Sequence, residues 1–283
     1  MLSKAARLIN EVSAIYRKIP IWLSSFPRLR ILLSLKKDWI ADIQKGFRGT
    51  GHRLTFDVIS LENCSKYDLV IPLTVPDLLH VSGSLPDNLI PIPSVEAITL
   101  CDDKSLFNET LLASRFAPYI PRINTRQYPY VLKKRKDEWG QHCFIIHNEK
   151  EEERFTSLLE NEDYFTQEFV GGNTEYTTHL LIQKGEMVSA LTIKYLFDMV
   201  DRVKGKDPWK MALISSSPYV ALFADILRYI GFEGLCCVNY KVRDRQPYIL
   251  EVNPRCGGSL TLFLFYFVEQ ALRYNEKRVA LGV

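Results

Sequence analysis

No two cysteines stand in a CxxC spacing, although the chain holds six of them, Cys236 and Cys237 side by side. That excludes a compact disulfide framework and the usual thiolate zinc sites, and leaves the cysteines as small core residues of a reducing compartment, with the cytoplasm as the expected location. Nowhere is there a run of about 20 apolar residues, the length a membrane-spanning helix needs. The most apolar stretch, 260–268, is too short and reads as a buried helix. Charge of one sign is scarce too. With 36 Lys and Arg against 33 Asp and Glu, the formal net charge is +3, too small to argue for nucleic acid and compatible with small anionic substrates. No internal repeat and no low-complexity tract occurs, so an ordinary packed core is expected. The opening MLSKAARLIN has scattered basic residues, Glu11 interrupts it and no cleavage pattern follows, so 3–18 is predicted to be an amphipathic packing helix.

What is there is a chain of 283 residues, 47% hydrophobic and 24% charged, long enough for two or three sub-domains sharing a core. The short apolar run 30–35 suits a buried parallel strand. Asp38 is a plausible N-cap for a helix containing Trp39, Ile40 and Ile43, which ends near the glycines 46–51. Two further strands are predicted at 54–61 and 67–73. Strand–helix–strand alternation of this kind predicts an α/β unit with ligands near the strand C-termini, where Pro72, Thr74 and Asp77 lie. A cluster of prolines (Pro86, Pro91 and Pro93) marks a boundary. After it, CDDKSLFNETLLASRF reads as a helix capped by Asp102 or Asp103. Lys104 then falls in the first turn, where the helix dipole is already positive, a place tolerable for a lysine that reaches a phosphate or for an exposed one.

Strand 130–133 delivers Lys133 at its end. The polar turn KKRKDEWGQHC follows, then the strand CFIIH: a flap, or a plain hairpin with a basic tip. TQEFV is a strand stopped by Gly171 and Gly172, and EYTTHLL starts another. MVSALTIKYLF carries Lys194 among apolar neighbours. A loop rich in lysine and aspartate spans 198–210, and a helix is predicted over 215–230, with Ser217 and Pro218 at its start and Gly231 after its end.

The most informative stretch is YILEVNPRCGGS, 248–259. Its alternation puts Leu250 and Val252 on one face and Glu251 and Asn253 on the other, the latter pair about 7 Å apart along a strand. A carboxylate and an amide oxygen aimed at one space form a hard-oxygen site of the sort Mg²⁺ accepts while keeping water and phosphates as its other ligands. Pro254 stops the ladder, Arg255 adds a positive fork suited to phosphate or carboxylate, and Gly257 and Gly258 permit close backbone approach. If the preceding hairpin centres near Arg245, Asn239 falls opposite Glu251, with Cys237, Asn239 and Lys241 on one face; a register slip would turn Asn239 away.

Taken in order, DDK, VLK with its flap, QEFV…EY and GFEGLCCVNYKV…YILEVNPRCGGS resemble the ATP-grasp superfamily, most closely the carbamoyl-phosphate-synthetase-like and biotin-carboxylase-like branch, over roughly 93–270. The resemblance implies an α/β (α+β) chain with an ATP-grasp fold and an abbreviated N-terminal Rossmann-like sub-domain. It divides the chain into 1–92 and an ATP-grasp domain over 93–283, with a lid at about 125–170 and a catalytic sub-domain at about 171–283. It implies that Lys104 and Lys133 bind ATP phosphates. Glu168 or Gln167, with the Phe169 and Val170 backbone, would hold adenine, and Glu175 the ribose. Glu251 and Asn253, with Asn239, would hold Mg²⁺ (or Mn²⁺). Arg255 and Lys194 are the candidate contacts to substrate or to the transferring phosphoryl group. Three features depart from the family's pattern: a flap with a single glycine, Asn239 where relatives often carry Asp, Glu or Gln, and no glycine-rich turn after the first strand.

The activity implied is an ADP-forming carboxylate–amine ligase working through an acyl-phosphate on small-molecule substrates, with a homodimer one open arrangement. A phosphotransferase, another acyl-phosphate-forming enzyme and a non-catalytic nucleotide-binding relative are the alternatives.

Overall fold

The structure, a computed structural model, describes Ser13, Arg17 and residues 27–83, 86–138 and 140–281. Apart from Ser13 and Arg17, the expected helix over 3–18 lies outside the described residues, as does Trp139 of the flap. Three sheets organise the rest.

The first is parallel, in the order β2–β1–β3, with β1 at Arg30–Ser34, β2 at Arg53–Asp57 and β3 at Leu69–Ile71. Ile31, Leu32 and Leu33 are wholly buried, as a strand covered on both faces requires. Helix Lys37–Phe47 follows β1, with Lys36 rather than Asp38 at its N-cap and Asp38 in its first turn. The strand expected over 54–61 stops at Asp57, because Ser60 caps a short helix, Leu61–Cys64, by accepting from Asn63 N. Asp77 is part of a helix cap. Thr74 Oγ1 accepts from Asp77 N at 3.2 Å and donates to Asp77 Oδ2 at 2.5 Å at the start of helix Val75–Ser82.

A helix, Val95–Asp102, precedes the expected one, which runs Lys104–Leu112. Asp103 caps the second, its Oδ1 accepting from Ser105 N and Leu106 N. A small antiparallel sheet, β5–β4–β6, comes next, with β4 at Tyr130–Lys134, β5 at Cys143–Ile146 and β6 at Tyr164–Glu168. Tyr130, Leu132 and Ile146 face a cluster with Phe144 and Phe155. Alternation therefore turns Val131 and Lys133 the other way.

The large antiparallel sheet runs β11–β10–β7–β8–β9, with β7 at Thr174–Gln183, β8 at Glu186–Leu196, β9 at Met211–Ser215, β10 at Gly234–Arg243 and β11 at Gln246–Asn253. One face, with Leu180, Ile182, Cys236, Val238, Tyr240 and Val252, packs on helices 95–112 and on Val220–Tyr229. The other, with Leu181, Leu191, Ile193, Tyr195 and Leu235, shares a core with the first sheet and with helix Leu264–Leu281. The helix expected over 215–230 is shorter because Met211–Ser215 pairs with β8; Gly231, at φ 63°, follows its end as expected. No helix among the described residues is long and apolar enough to cross a membrane, and the six cysteines are free thiols.

Candidate active site

Between the small sheet and the large one lies a cleft of about 570 Å³. Its floor comes from alternate residues of three adjacent strands: Glu175 on β7, Cys237, Asn239 and Lys241 on β10, and Glu251 and Asn253 on β11. The β10–β11 hairpin turns on Asp244 and Arg245, both at positive φ; from that turn the ladder runs to Tyr240 opposite Ile249, and a β-bulge there brings Asn239 opposite Glu251, the expected pairing. Lys133 enters from β4, and Lys104 from the first turn of its helix. Asp103, held by Arg135 Nη2 at 2.7 Å, seats that turn against the flap.

Glu251 is the centre of charge. Its Oε1 accepts from Asn239 Nδ2 at 2.6 Å and Asn253 Nδ2 at 3.1 Å, and its Oε2 lies 3.5 Å from Lys104 Nζ. Burial alone would raise its carboxyl; Lys104, Lys133 and Lys204 outweigh that and hold it at about 2. Lys133 donates to Gln167 Oε1 at 2.6 Å and to Leu250 O at 3.4 Å, and burial pushes its ammonium down. Gln167 in turn donates to Asn108 Oδ1 at 3.1 Å, so this buried amide positions a lysine. Arg255 lines the cleft near its rim, its Nη2 3.0 Å from Glu138 Oε1.

Other expected residues lie differently. Phe169 and Val170 line the cleft. Glu168 lies at its edge, but its carboxylate is engaged by Arg122 Nε at 3.1 Å and Arg243 Nη2 at 3.0 Å, which hold it ionised despite burial. Glu175 is 5% exposed and has Lys204 Nζ 3.6 Å away; burial raises its carboxyl, opposed by Lys204 and Lys241. Lys194 does not enter the cleft. Its neighbours Ile193 and Tyr195 line the cleft, so Lys194 stands on the opposite face of the sheet, its Nζ 5.9 Å from the Tyr176 ring.

The lysine that does enter from this region is Lys204, on the segment between β8 and β9. It donates to Thr177 Oγ1 at 2.6 Å and to Asn239 Oδ1. The segment is tied at Val203 N to Asp207 Oδ2 at 2.7 Å, and Lys206 Nζ reaches Cys143 O at 3.2 Å across the cleft. Lys241, donating to Gly172 O at 3.0 Å, adds a further cation. Neither lysine was singled out from sequence as a phosphate contact. The strand alternation that groups Lys241 with Asn239 was signal enough for that one, whereas nothing local distinguishes Lys204 from Lys206 or Lys210.

As a metal site, Glu251 offers a carboxylate, while both amides present Nδ2 to it and Asn239 Oδ1 faces Thr177 and Lys204, so Asn253 and Asn239 must turn their amides over to give an oxygen to a cation. Among the described residues no group of three or more His, Cys, Asp or Glu could hold a metal alone. Such a sparse hard-oxygen set suits Mg²⁺ that keeps waters and substrate phosphates, not a cage made wholly by protein.

A family profile for the ATP-grasp domain matches residues 101–259. The chain belongs to the ATP-grasp family. A search of curated proteins returns no match. Among solved structures it resembles in fold the D-alanine–D-alanine ligase of Bacillus anthracis complexed with ATP, at 14% identity and a TM-score of 0.58, over 89% of this chain and 100% of that one. Phosphoribosylamine–glycine ligase from Thermotoga maritima matches at 15% identity and a TM-score of 0.63, over 82% of this chain and 70% of that one. Biotin carboxylase from Campylobacter jejuni matches at 14% identity and a TM-score of 0.56, over 83% and 67%.

Proposed function

We propose that the chain is an ATP-dependent carboxylate–amine ligase. The observation that carries this reading is the convergence of Lys104, Lys133 and Lys204 on Glu251, in a cleft between two sheets of an ATP-grasp chain. Phosphoryl transfer demands charge neutralisation and in-line positioning more than covalent help from protein, and these groups supply both.

In this reading the first sheet is the N-terminal unit, the small sheet the lid and the large sheet the catalytic floor, with the boundary near residue 92. Adenine rests by Phe169 and Val170. Glu168, engaged by two arginines, shapes that end rather than binding the base with a free carboxylate, and Glu175 faces the ribose. Lys104, Lys133, Lys204 and Lys241 neutralise the phosphates, Gln167 orients Lys133, and Glu251, with Asn253 and Asn239 once their amides turn over, would hold Mg²⁺ or Mn²⁺. The bound ion would neutralise phosphate charge. Arg255 orients the acceptor carboxylate. Its oxygen bonds to the γ-phosphorus as the bond to ADP breaks. An amine then attacks the acyl carbon, inorganic phosphate leaves, and the amine loses a proton.

The test is ADP release with Mg·ATP against a panel of amino acids and other small carboxylates, each with and without an amine. ADP formed only when both are present is the expected result. ADP formed without any amine points to a phosphotransferase, and none with any pair contradicts the ligase.

A further inference from the structure

Glu138, on the flap, places each of its carboxylate oxygens against a different cation of the body. Oε1 lies 3.0 Å from Arg255 Nη2, and Oε2 lies 3.2 Å from Lys36 Nζ. The cations are held independently of it. The Arg255 side chain is 8% exposed and donates to Cys256 O at 3.1 Å, and that of Lys36 is 15% exposed. One indole serves both: Lys36 Nζ lies 4.3 Å and Arg255 Cζ 5.9 Å from the Trp39 ring. Glu138, by contrast, is 45% exposed and sits beside a polar loop. The cations are therefore fixed by the body, and the anion is the movable member. A half-exposed ion pair is weakly held, so it yields to a better-placed anion.

We propose that Arg255, Lys36 and the Trp39 face form a two-point carboxylate site at the rim of the cleft, which Glu138 fills as a built-in competitor until a substrate carboxylate displaces it. Lys36 is thereby a substrate-binding residue contributed by the connector after β1, and the flap senses the acceptor rather than the nucleotide. An arginine fork with an ammonium beside it matches a planar carboxylate with one cation per oxygen. That the displacing anion is the acceptor substrate rests on the ligase reading; the existence of the site does not.

The experiment titrates acetate, as the simplest carboxylate, and separately Mg·AMP-PNP, into the full chain by NMR, with amide exchange over 137–142 as a second readout. Glu138→Gln removes the competitor, so acetate affinity should rise by about fivefold, the most that release of a weakly held ion pair gives, while that of Mg·AMP-PNP changes by less than about twofold. Acetate should also quicken exchange of 137–142 in the wild type, and Lys36→Met should weaken acetate binding. Unchanged acetate affinity in Glu138→Gln, with faster flap exchange, would show a merely structural latch and overturn the proposal. Tightening of the nucleotide analogue without tightening of acetate would overturn the carboxylate assignment. No step requires turnover, so tightened acetate in a protein that releases no ADP would sink the ligase and leave this site standing.

Discussion

His179 lies on β7 beneath the cleft with no exposed surface, its Nε2 2.8 Å from Ser259 Oγ. Burial pushes its imidazole down to about 3 from 6.5. Between those values the unfolded chain binds a proton that the folded one does not, so stability falls as pH drops from 6.5 towards 3. One proton gives a slope of about 1.4 kcal/mol per pH unit. His179→Gln should flatten the pH dependence of the unfolding free energy from urea titrations over that window by this amount; an unaltered slope would show that other groups set it. Residues of this scale were unevenly legible. Glu251 and Asn253 were readable because strand alternation puts them on one face, whereas the turn on Asp244 and Arg245 alone would set Asn239 opposite Leu250 and only the bulge beside Asn239 restores its pairing with Glu251. Lys194 misled because β8 is covered on both faces, so Ile193 and Tyr195 look no different in sequence from Ala190 and Thr192. Lys204 sits on a segment with no periodicity, and only the approach of the two sheets selects it.

Elements were legible to within a few residues where a pattern repeats, and less so where a cap intervenes. The strand at 30–34 follows from its unbroken apolar run and the 234–253 hairpin from alternation about a turn. The cap at Asp103 was readable as well, but helix Val95–Asp102 was not, because it lies between the proline cluster and that cap, where the sequence reads as a connector. How helix Lys37–Phe47 docks was also hidden. Gly46 sits within it, where a Cβ would meet Leu262 O at 2.6 Å. This close approach lets the N-terminal unit press against the turn Gly258–Phe263, which leads out of the site. Gly46→Ala would gain about 1 kcal/mol of helix propensity at an exposed position. Here it should lose about 1–3 kcal/mol by forcing the two elements apart. A urea midpoint equal to or above the wild type's would show that the contact relaxes freely.

At the scale of the whole molecule, three sheets meet so that the charges of distant segments cancel only in part. Lys104, Lys133, Lys204 and Lys241 converge on the carboxylates of Glu251 and Glu175, although the formal charge of the chain is only +3. The local excess of cations suits a polyanion, and composition could not reveal it, because folding rather than abundance brings the lysines together. The family was legible from the order of motifs; the packing of the segment 197–210 against the small sheet was not, because it is a tertiary contact. The direct measurement is calorimetric titration of AMP-PNP, with and without Mg²⁺, into the wild type and Glu251→Gln. The account predicts submillimolar binding that requires Mg²⁺ and weakens by at least about tenfold in the variant, as losing a charged ligand contact implies, together with a lower melting temperature, since Lys104, Lys133 and Lys204 lose a buried counter-charge. Absence of binding at millimolar nucleotide, or equal binding by both proteins regardless of Mg²⁺, would contradict it.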